Sequence, residues 1–159
     1  MSVHNVTWNA TSSGVGSIDG IEAALNWLTG GNAEISREKV KSYHGARMWL
    51  VQAQITRKKA AKDSVCHLGT EFLNQLALSN DLSQRIDEQN VLHIRLSISS
   101  LVCGSIELST GSEEQVKGRI KLEVYPGQDP LENARKMLGD SAAKANSSGF
   151  PIPFESENH

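Results

Sequence analysis

Apolar residues recur at every second position in three stretches of the chain, at 47 to 56, 91 to 108 and 116 to 125. Successive side chains of an extended strand point to opposite faces, so a period of two predicts strands with one apolar and one polar face. Antiparallel sheets are commonly solvated on one side, whereas parallel sheets are covered on both. The three stretches therefore predict an antiparallel sheet with one solvent-exposed face.

Apolar residues at helical spacing predict helices at 18 to 29, 64 to 79 and 130 to 138. The fold class predicted is thus α+β, an antiparallel sheet with helices packed on one face. The stretch 91 to 108 is long for one strand, so it forms either two strands or one strand bent at Ser99-Ser100 or at Gly104. The residues predicted to be buried are Trp49, Val51, Ile55, Phe72, Leu76, Ile94, Ile106 and Leu122.

The two ends of the chain are small and polar, with no sustained period. They offer too little apolar surface to offset the entropy of ordering the chain. We expect a flexible arm at 1 to 16, a single α+β domain at 17 to 139 and a disordered tail at 140 to 159, and we expect both ends to be flexible.

The formal net charge of -2 is distributed unevenly. Residues 37 to 62 have a net charge of +7, and the rest of the chain has -9. Local positive charge attracts phosphates, anionic lipids and acidic proteins. The basic turn after the first alternating stretch is predicted to bind an anionic partner through Arg57, Lys58, Lys59 and Lys62. The alternative is a solvated strand edge followed by a basic turn with no partner.

No pattern of catalytic residues emerges. Cys66 and His67 are neighbours, and adjacent helical residues point about 100° apart, so they do not form a nucleophile and base pair. His, Cys, Asp and Glu do not occur at metal-ligand spacing. We therefore expect a protein that acts by binding, with no catalytic residue, metal, cofactor or small-molecule substrate. The chain has two cysteines, too few for a set of structural disulfides, and its sequence shows no apolar export signal or membrane segment. These features favour an intracellular, cytoplasmic location.

The tail contains one motif with aromatic residues and spaced prolines. Spaced prolines favour extended structure, and two aromatic anchors suit insertion into a groove. The motif predicts a peptide-docking segment and consists of Phe150, Pro151, Ile152, Pro153 and Phe154.

The strand sequence Met48-Trp49-Leu50-Val51-Gln52-Ala53-Gln54-Ile55, followed by a basic turn, a helix and the strands at 91 to 125, resembles the matrix proteins of rhabdoviruses, especially the short ones of plant viruses. The resemblance rests on the order of elements over about half of the chain. It implies a virion structural protein that self-associates as a homo-oligomer and bridges the nucleocapsid and an anionic membrane. The N-terminal stretch lacks the basic cluster of that family, and a Pro-Pro-x-Tyr motif is absent.

The alternative is a small nucleic-acid-binding or adaptor protein that acts through its basic segment. A sheet with a basic edge and few exposed aromatic residues would bind the phosphate backbone of RNA without recognising bases.

Overall fold

The computed structural model describes residues 3–12, 18–41, 47–111 and 114–154. These residues form a five-stranded antiparallel sheet with helices, which confirms the predicted α+β class. The strands are β1 (Val3–Ser12), β2 (Glu34–Lys41), β3 (Arg47–Ile55), β4 (Val91–Ser97) and β5 (Gln115–Leu122). The helices are α1 (Ile18–Leu28), α2 (Lys58–Cys66), α3 (Thr70–Ala77), α4 (Ile98–Val102) and α5 (Pro130–Ser148), with a 3-10 turn at Leu82–Arg85.

The centre of the sheet is its N-terminal strand. The strand order is β2-β3-β1-β5-β4, and β1 pairs with both β3 and β5. The prediction of a flexible arm at 1 to 16 is therefore wrong for Val3–Ser12, and the other residues of that range lie outside the described part of the chain.

A bulge explains why β1 was not evident from its sequence. Val6, Trp8 and Ala10 alternate and are buried, but the register shifts between Val3 and Asn5. Val3 is buried as well, although it is out of phase with the other three residues. One inserted residue thus removes the single period by which a strand is recognised.

The basic turn predicted at 57 to 62 is the beginning of α2, with Arg57 at the N-cap position. The helix predicted at 64 to 79 is two helices, α2 and α3, separated at Gly69. Gly69 has a φ of 93°, which lies in the region that favours glycine. A β-carbon there would also lie 2.5 Å from Cδ of Pro151.

The long alternating stretch at 91 to 108 is a strand only as far as Ser97. The Ser97 hydroxyl accepts a hydrogen bond from the backbone N–H of Ser100, at 3.3 Å, and so caps the short helix α4. Leu108 then returns as an isolated bridge partner of Leu96. The chain leaves the sheet by a helical turn, instead of bending within one strand or forming a second strand.

The last helix continues to Ser148, well beyond residue 138, where the apolar spacing predicts that it ends. Asp129 caps its first turn, and Pro130 occupies the first helical position. Ser141, Ala142 and Ala145 are buried, and α5 packs along α3. The prediction of a disordered tail from residue 140 is therefore wrong for this helix, while residues 155 to 159 lie outside the described chain.

The core lies between one face of the sheet and the helices. Of the eight residues predicted to be buried, Trp49 and Ile106 are only partly covered, and the others are buried. Within the described part of the chain, no helix has the length and hydropathy that a membrane span requires.

Candidate nucleic-acid interface

The second face of the sheet is formed mainly by polar side chains, with Met48 and Leu50 of β3 as apolar exceptions. Residues that alternate with the buried ones in β1, β3, β4 and β5 are exposed or half-exposed, except Val91 and Ser97 at the two ends of β4, and the helices pack on the apolar side. The aromatic residues Trp8 and Trp49 point to the helix side, because each shares its strand phase with buried neighbours. We call the polar surface the open face.

Four cations on β4 and β5 form a basic patch on the open face. Lys117, Arg119 and Lys121 follow one another at every second position of β5, and Arg95 on β4 lies directly opposite Lys117. Like charges directly opposite in an antiparallel pair destabilise a sheet. Bound anions would relieve this repulsion, so the patch is suited to a polyanionic ligand.

Most of the basic patch is free of acidic partners. The ion pairs within residues 3–12, 18–41, 47–111 and 114–154 involve other side chains, and Arg95, Lys117 and Arg119 have none. Lys121 donates a hydrogen bond to the backbone carbonyl of Gln89. Exposed cations without acidic partners remain available to phosphates.

Amides and hydroxyls adjoin the basic patch on the next strand. Asn5, Thr7 and Asn9 of β1 lie opposite Lys121, Arg119 and Lys117. The row continues onto β3, where the Gln52 amide donates to Asn9 Oδ1 at 3.0 Å. Such groups both donate and accept hydrogen bonds, as sugar hydroxyls and phosphate oxygens require.

The charge of the open face changes sign across the sheet. Glu34 and Glu38 lie on the open face of the edge strand β2, opposite Gln54 and Leu50 of β3. Strands β4 and β2 are four strand spacings apart, about 19 Å. A polyanion is therefore attracted to the β4–β5 side of the sheet and repelled from the β2 side.

One histidine and aspartate pair lies beside the patch. His93, opposite Arg119, has Nε2 2.8 Å from Asp87 Oδ2. This hydrogen bond is the main reason why the pKa of Asp87 lies below its usual value. Asp87 is thus ionised at neutral pH and offsets part of the positive charge at this corner.

The four cations predicted from the sequence lie together at the N-terminus of α2. Lys58 Nζ is 2.6 Å from Glu123 Oε2, a contact that raises the pKa of Lys58. Arg57, Lys59 and Lys62 are exposed. The sequence shows no acid among these four residues, but folding brings one to Lys58 from the end of β5.

Folding also neutralises another part of the basic segment. Arg37 forms a bidentate salt bridge with Glu22, in which Nε and Nη2 donate to the two carboxylate oxygens at 2.8 and 2.7 Å. Its Nη2 also donates to Asp19 Oδ1 at 2.9 Å. These contacts raise the pKa of Arg37. A count of charges along the chain therefore overstates the positive surface at 37 to 62 and misses the patch on β4 and β5. The signal for the patch was the period-two spacing of Lys117, Arg119 and Lys121.

The predicted docking motif packs against its own chain. Phe150 stacks on the His67 ring with 3.9 Å between ring centroids, and Phe154 contacts the Trp27 ring at 5.1 Å. The Trp27 indole N–H donates to the carbonyl oxygen of Ile152 at 2.5 Å. The motif therefore lies over the ends of α1 and α2, away from the basic patch.

The neighbouring Cys66 is poorly suited to act as a nucleophile. It is buried, and burial raises the pKa of its thiol. Among the residues that the structure describes, no three His, Cys, Asp or Glu side chains come together as metal ligands.

Solved structures from archaea share this fold. A DUF54 protein from Methanothermobacter thermautotrophicus is 24% identical, with a TM-score of 0.71 over 87% of this chain and 99% of that one. A DUF54 protein from Archaeoglobus fulgidus is 23% identical, with a TM-score of 0.64 over 90% and 99%. A UPF0201 protein from Methanococcus jannaschii is 10% identical, with a TM-score of 0.58 over 84% and 98%. At these identities the likeness shows the fold alone.

A family model described as RNA binding matches residues 15–124, more than half of the chain. No curated protein matches the sequence. The resemblance to rhabdovirus matrix proteins is wrong, since the family match and the archaeal structures point elsewhere. The expected virion role, self-association and membrane contact rested on that resemblance and are not supported. The matched segment includes the whole basic patch, and the chain belongs to this RNA-binding family.

Proposed function

We propose that the protein binds RNA on the open face of its sheet, with the basic patch in contact with the phosphate backbone. The observation that carries this proposal is the direct pairing of Arg95 with Lys117, both exposed, on the open face. Such a pair costs stability in the free protein, and a phosphate placed between the two cations would remove that cost.

The spacing of the cations supports contact with a backbone. Side chains two residues apart on one face of a strand are separated by about 6.8 Å. This distance is close to the separation of successive phosphates along a nucleic-acid strand. Lys117, Arg119 and Lys121 would therefore contact consecutive phosphates of a strand lying along β5.

The neighbouring amides and hydroxyls favour RNA over DNA. Asn5, Thr7 and Asn9 lie one strand away from the cations, about 4.8 Å, on the same face. A backbone lying along β5 would present its ribose 2′-hydroxyls within reach of this row. The 2′-hydroxyl is the group by which proteins distinguish RNA from DNA.

Binding without catalysis is part of the proposal. The open face presents cations, amides and hydroxyls, which hold a nucleic acid by many weak contacts. Cys66 is buried and has a raised pKa, so it is a poor nucleophile. We expect RNA to be recovered intact from the complex. An RNA partner would also place the protein inside the cell.

The test uses two variants that remove the same charge from different surfaces. One changes Lys117, Arg119 and Lys121 to Gln on the open face. The other changes Arg57, Lys59 and Lys62 to Gln at the start of α2, and it tests the contact predicted from the sequence. Binding of a labelled RNA hairpin is measured by fluorescence anisotropy at several salt concentrations.

We expect the open-face variant to bind RNA at least about tenfold more weakly and to lower the salt slope by about one for each lost phosphate contact. The α2 variant should bind within about twofold of the parent. The melting temperature of the α2 variant should stay close to that of the parent, because exposed charges contribute little to stability. That of the open-face variant should be equal or slightly higher, because the change removes the repulsion between Lys117 and Arg95. Equal losses of affinity in both variants would indicate that RNA is attracted by net charge alone. A loss of affinity in the α2 variant alone would mean that the interface is at α2 and not on the open face.

A further inference from the structure

Tyr125 is an exposed aromatic residue three residues beyond the end of β5, the strand that carries most of the basic patch. It is 59% exposed and lies four residues beyond Lys121. Four extended residues span at most about 14 Å, which is one to two nucleotides of an RNA strand. Tyr125 also lies just outside the segment that the family model matches, 15–124, so the family match does not account for it.

The backbone of Tyr125 is held on both sides by one glutamine. The Tyr125 N–H donates to Gln128 Oε1, and the Gln128 N–H donates to the Tyr125 carbonyl, each at 3.0 Å. Pro126 and Gly127 form the middle of this turn, and Gly127 has a φ of 86°. Proline followed by a glycine of positive φ is typical of a type II turn, which fixes the position of the residue before it.

The ring of Tyr125 is fixed as well. Its hydroxyl donates to Glu123 Oε1 at 2.8 Å, and this contact raises the pKa of Tyr125, so the phenol stays neutral at physiological pH. A side chain that is exposed but already ordered loses little conformational entropy when a ligand covers it. Fixed aromatic rings of this kind are platforms on which nucleic-acid bases stack.

The negative charge of Glu123, which holds the ring, is balanced by neighbouring basic side chains. Glu123 is only 9% exposed, and its other oxygen contacts Lys58 at 2.6 Å. His4 Nε2 also lies 3.5 Å from that oxygen. The acid between Lys121 and Tyr125 is therefore paired, which reduces its repulsion of a nearby phosphate.

We propose that Tyr125 stacks on an unpaired base of an RNA whose backbone lies on the basic patch. The proposal rests on the proposed function and adds a ligand class to it, RNA with a single-stranded end beside a backbone-bound segment. Stacking on a ring tolerates any base, so it selects for strand ends rather than for sequence.

The experiment compares three kinds of hairpin that share one stem, five RNAs in all. One has a blunt end, two have a three-nucleotide overhang at the 5′ or the 3′ end, and two have the corresponding abasic overhangs. Parent protein is compared with Tyr125→Phe, which keeps the ring, and Tyr125→Leu, which keeps apolar bulk without it. Melting temperatures check that both variants are folded.

We expect the parent to bind one base-bearing overhang at least about fivefold more tightly than the blunt and abasic hairpins. Tyr125→Phe should keep at least half of that gain, and Tyr125→Leu should lose it while binding the blunt hairpin as the parent does. Equal binding of the base-bearing overhang by Tyr125→Leu and the parent would overturn the stacking role and leave the proposed function standing. Failure of the parent to bind any of the hairpins would overturn both.

Discussion

Replacement of Trp8 by Ala tests the placement of the N-terminal segment at the centre of the sheet. Trp8 is 2% exposed, so nearly its whole side chain is removed from water on folding. A buried tryptophan covers about 150–250 Å², which at about 25 cal/mol per Å² gives an upper bound of about 4–6 kcal/mol. With partial collapse of the cavity, we expect Trp8→Ala to lower the free energy of unfolding by about 3–5 kcal/mol.

The assay is urea unfolding followed by far-UV circular dichroism, with the slope unchanged and the midpoint lowered. A flexible arm would tolerate the same change with almost no loss. A loss below about 1 kcal/mol would therefore refute the central position of β1, since surface substitutions usually stay within about 0.5 kcal/mol.

A double-mutant cycle with Gly118 tests the contact itself. Gly118 lies directly opposite Trp8 on β5, and a β-carbon there would lie 2.3 Å from Cζ3 of the indole. We expect Gly118→Ala alone to cost about 1–3 kcal/mol, because the ring must move. In the Trp8→Ala background the same change should be neutral or stabilising, since the new methyl group fills part of the cavity. Additive losses would mean that the two residues are not in contact.

Three further changes test other parts of the account. Deletion of 140–154 should lower the midpoint of urea unfolding, because it removes the second half of α5 with its buried residues Ser141, Ala142 and Ala145. An unchanged midpoint would mean that this segment does not pack on the core. Burial lowers the pKa of His67 despite Asp63 at 3.5 Å, so the unfolded chain takes up a proton first as the pH falls. Stability should therefore decline as the pH drops below the ordinary histidine value of about 6.5, and less in His67→Phe. The pKa of Asp87 is lowered by His93, so Asp87→Asn should destabilise the protein at neutral pH, with the difference from the parent disappearing as the pH falls through the lowered pKa.

The parts of the fold that follow a simple period were predictable. Strands β3, β4 and β5 and the start of α5 match their patterns, because each has one face in the core, although β4 is only the first part of the alternating stretch at 91 to 108. The cap formed by Asp129 ahead of Pro130 likewise depends only on neighbouring residues.

The remaining parts depend on contacts between distant residues. Strand β1 is interrupted by a bulge, and Trp8 is buried only because Gly118 leaves room for it. The second half of α5 looks too polar for a core helix, but small residues such as Ala142 and Ala145 let it approach α3 closely. Neither feature can be inferred from a single segment.

The candidate interface shows the same limit for charge. Arg37 and Lys58 belong to the most basic part of the sequence, yet acids from α1 and from the end of β5 pair with them. The basic patch joins Arg95 to the cations of β5, which only the strand register brings side by side, and Arg95, Lys117 and Arg119 have no acidic partner among the described residues. The net charge of a sequence window therefore indicates the total charge, and the fold decides where that charge is exposed.

The most direct test of RNA binding at the open face is the protection of individual lysines by RNA. The folded protein is treated briefly with an amine-acetylating reagent, with and without saturating RNA hairpin, and modification is quantified by mass spectrometry. We predict that RNA slows acetylation of Lys117 and Lys121 on the open face, while Lys59 and Lys62 on α2 react at the same rate. Protection of Lys59 and Lys62 with no change at Lys117 and Lys121 would contradict the proposed interface.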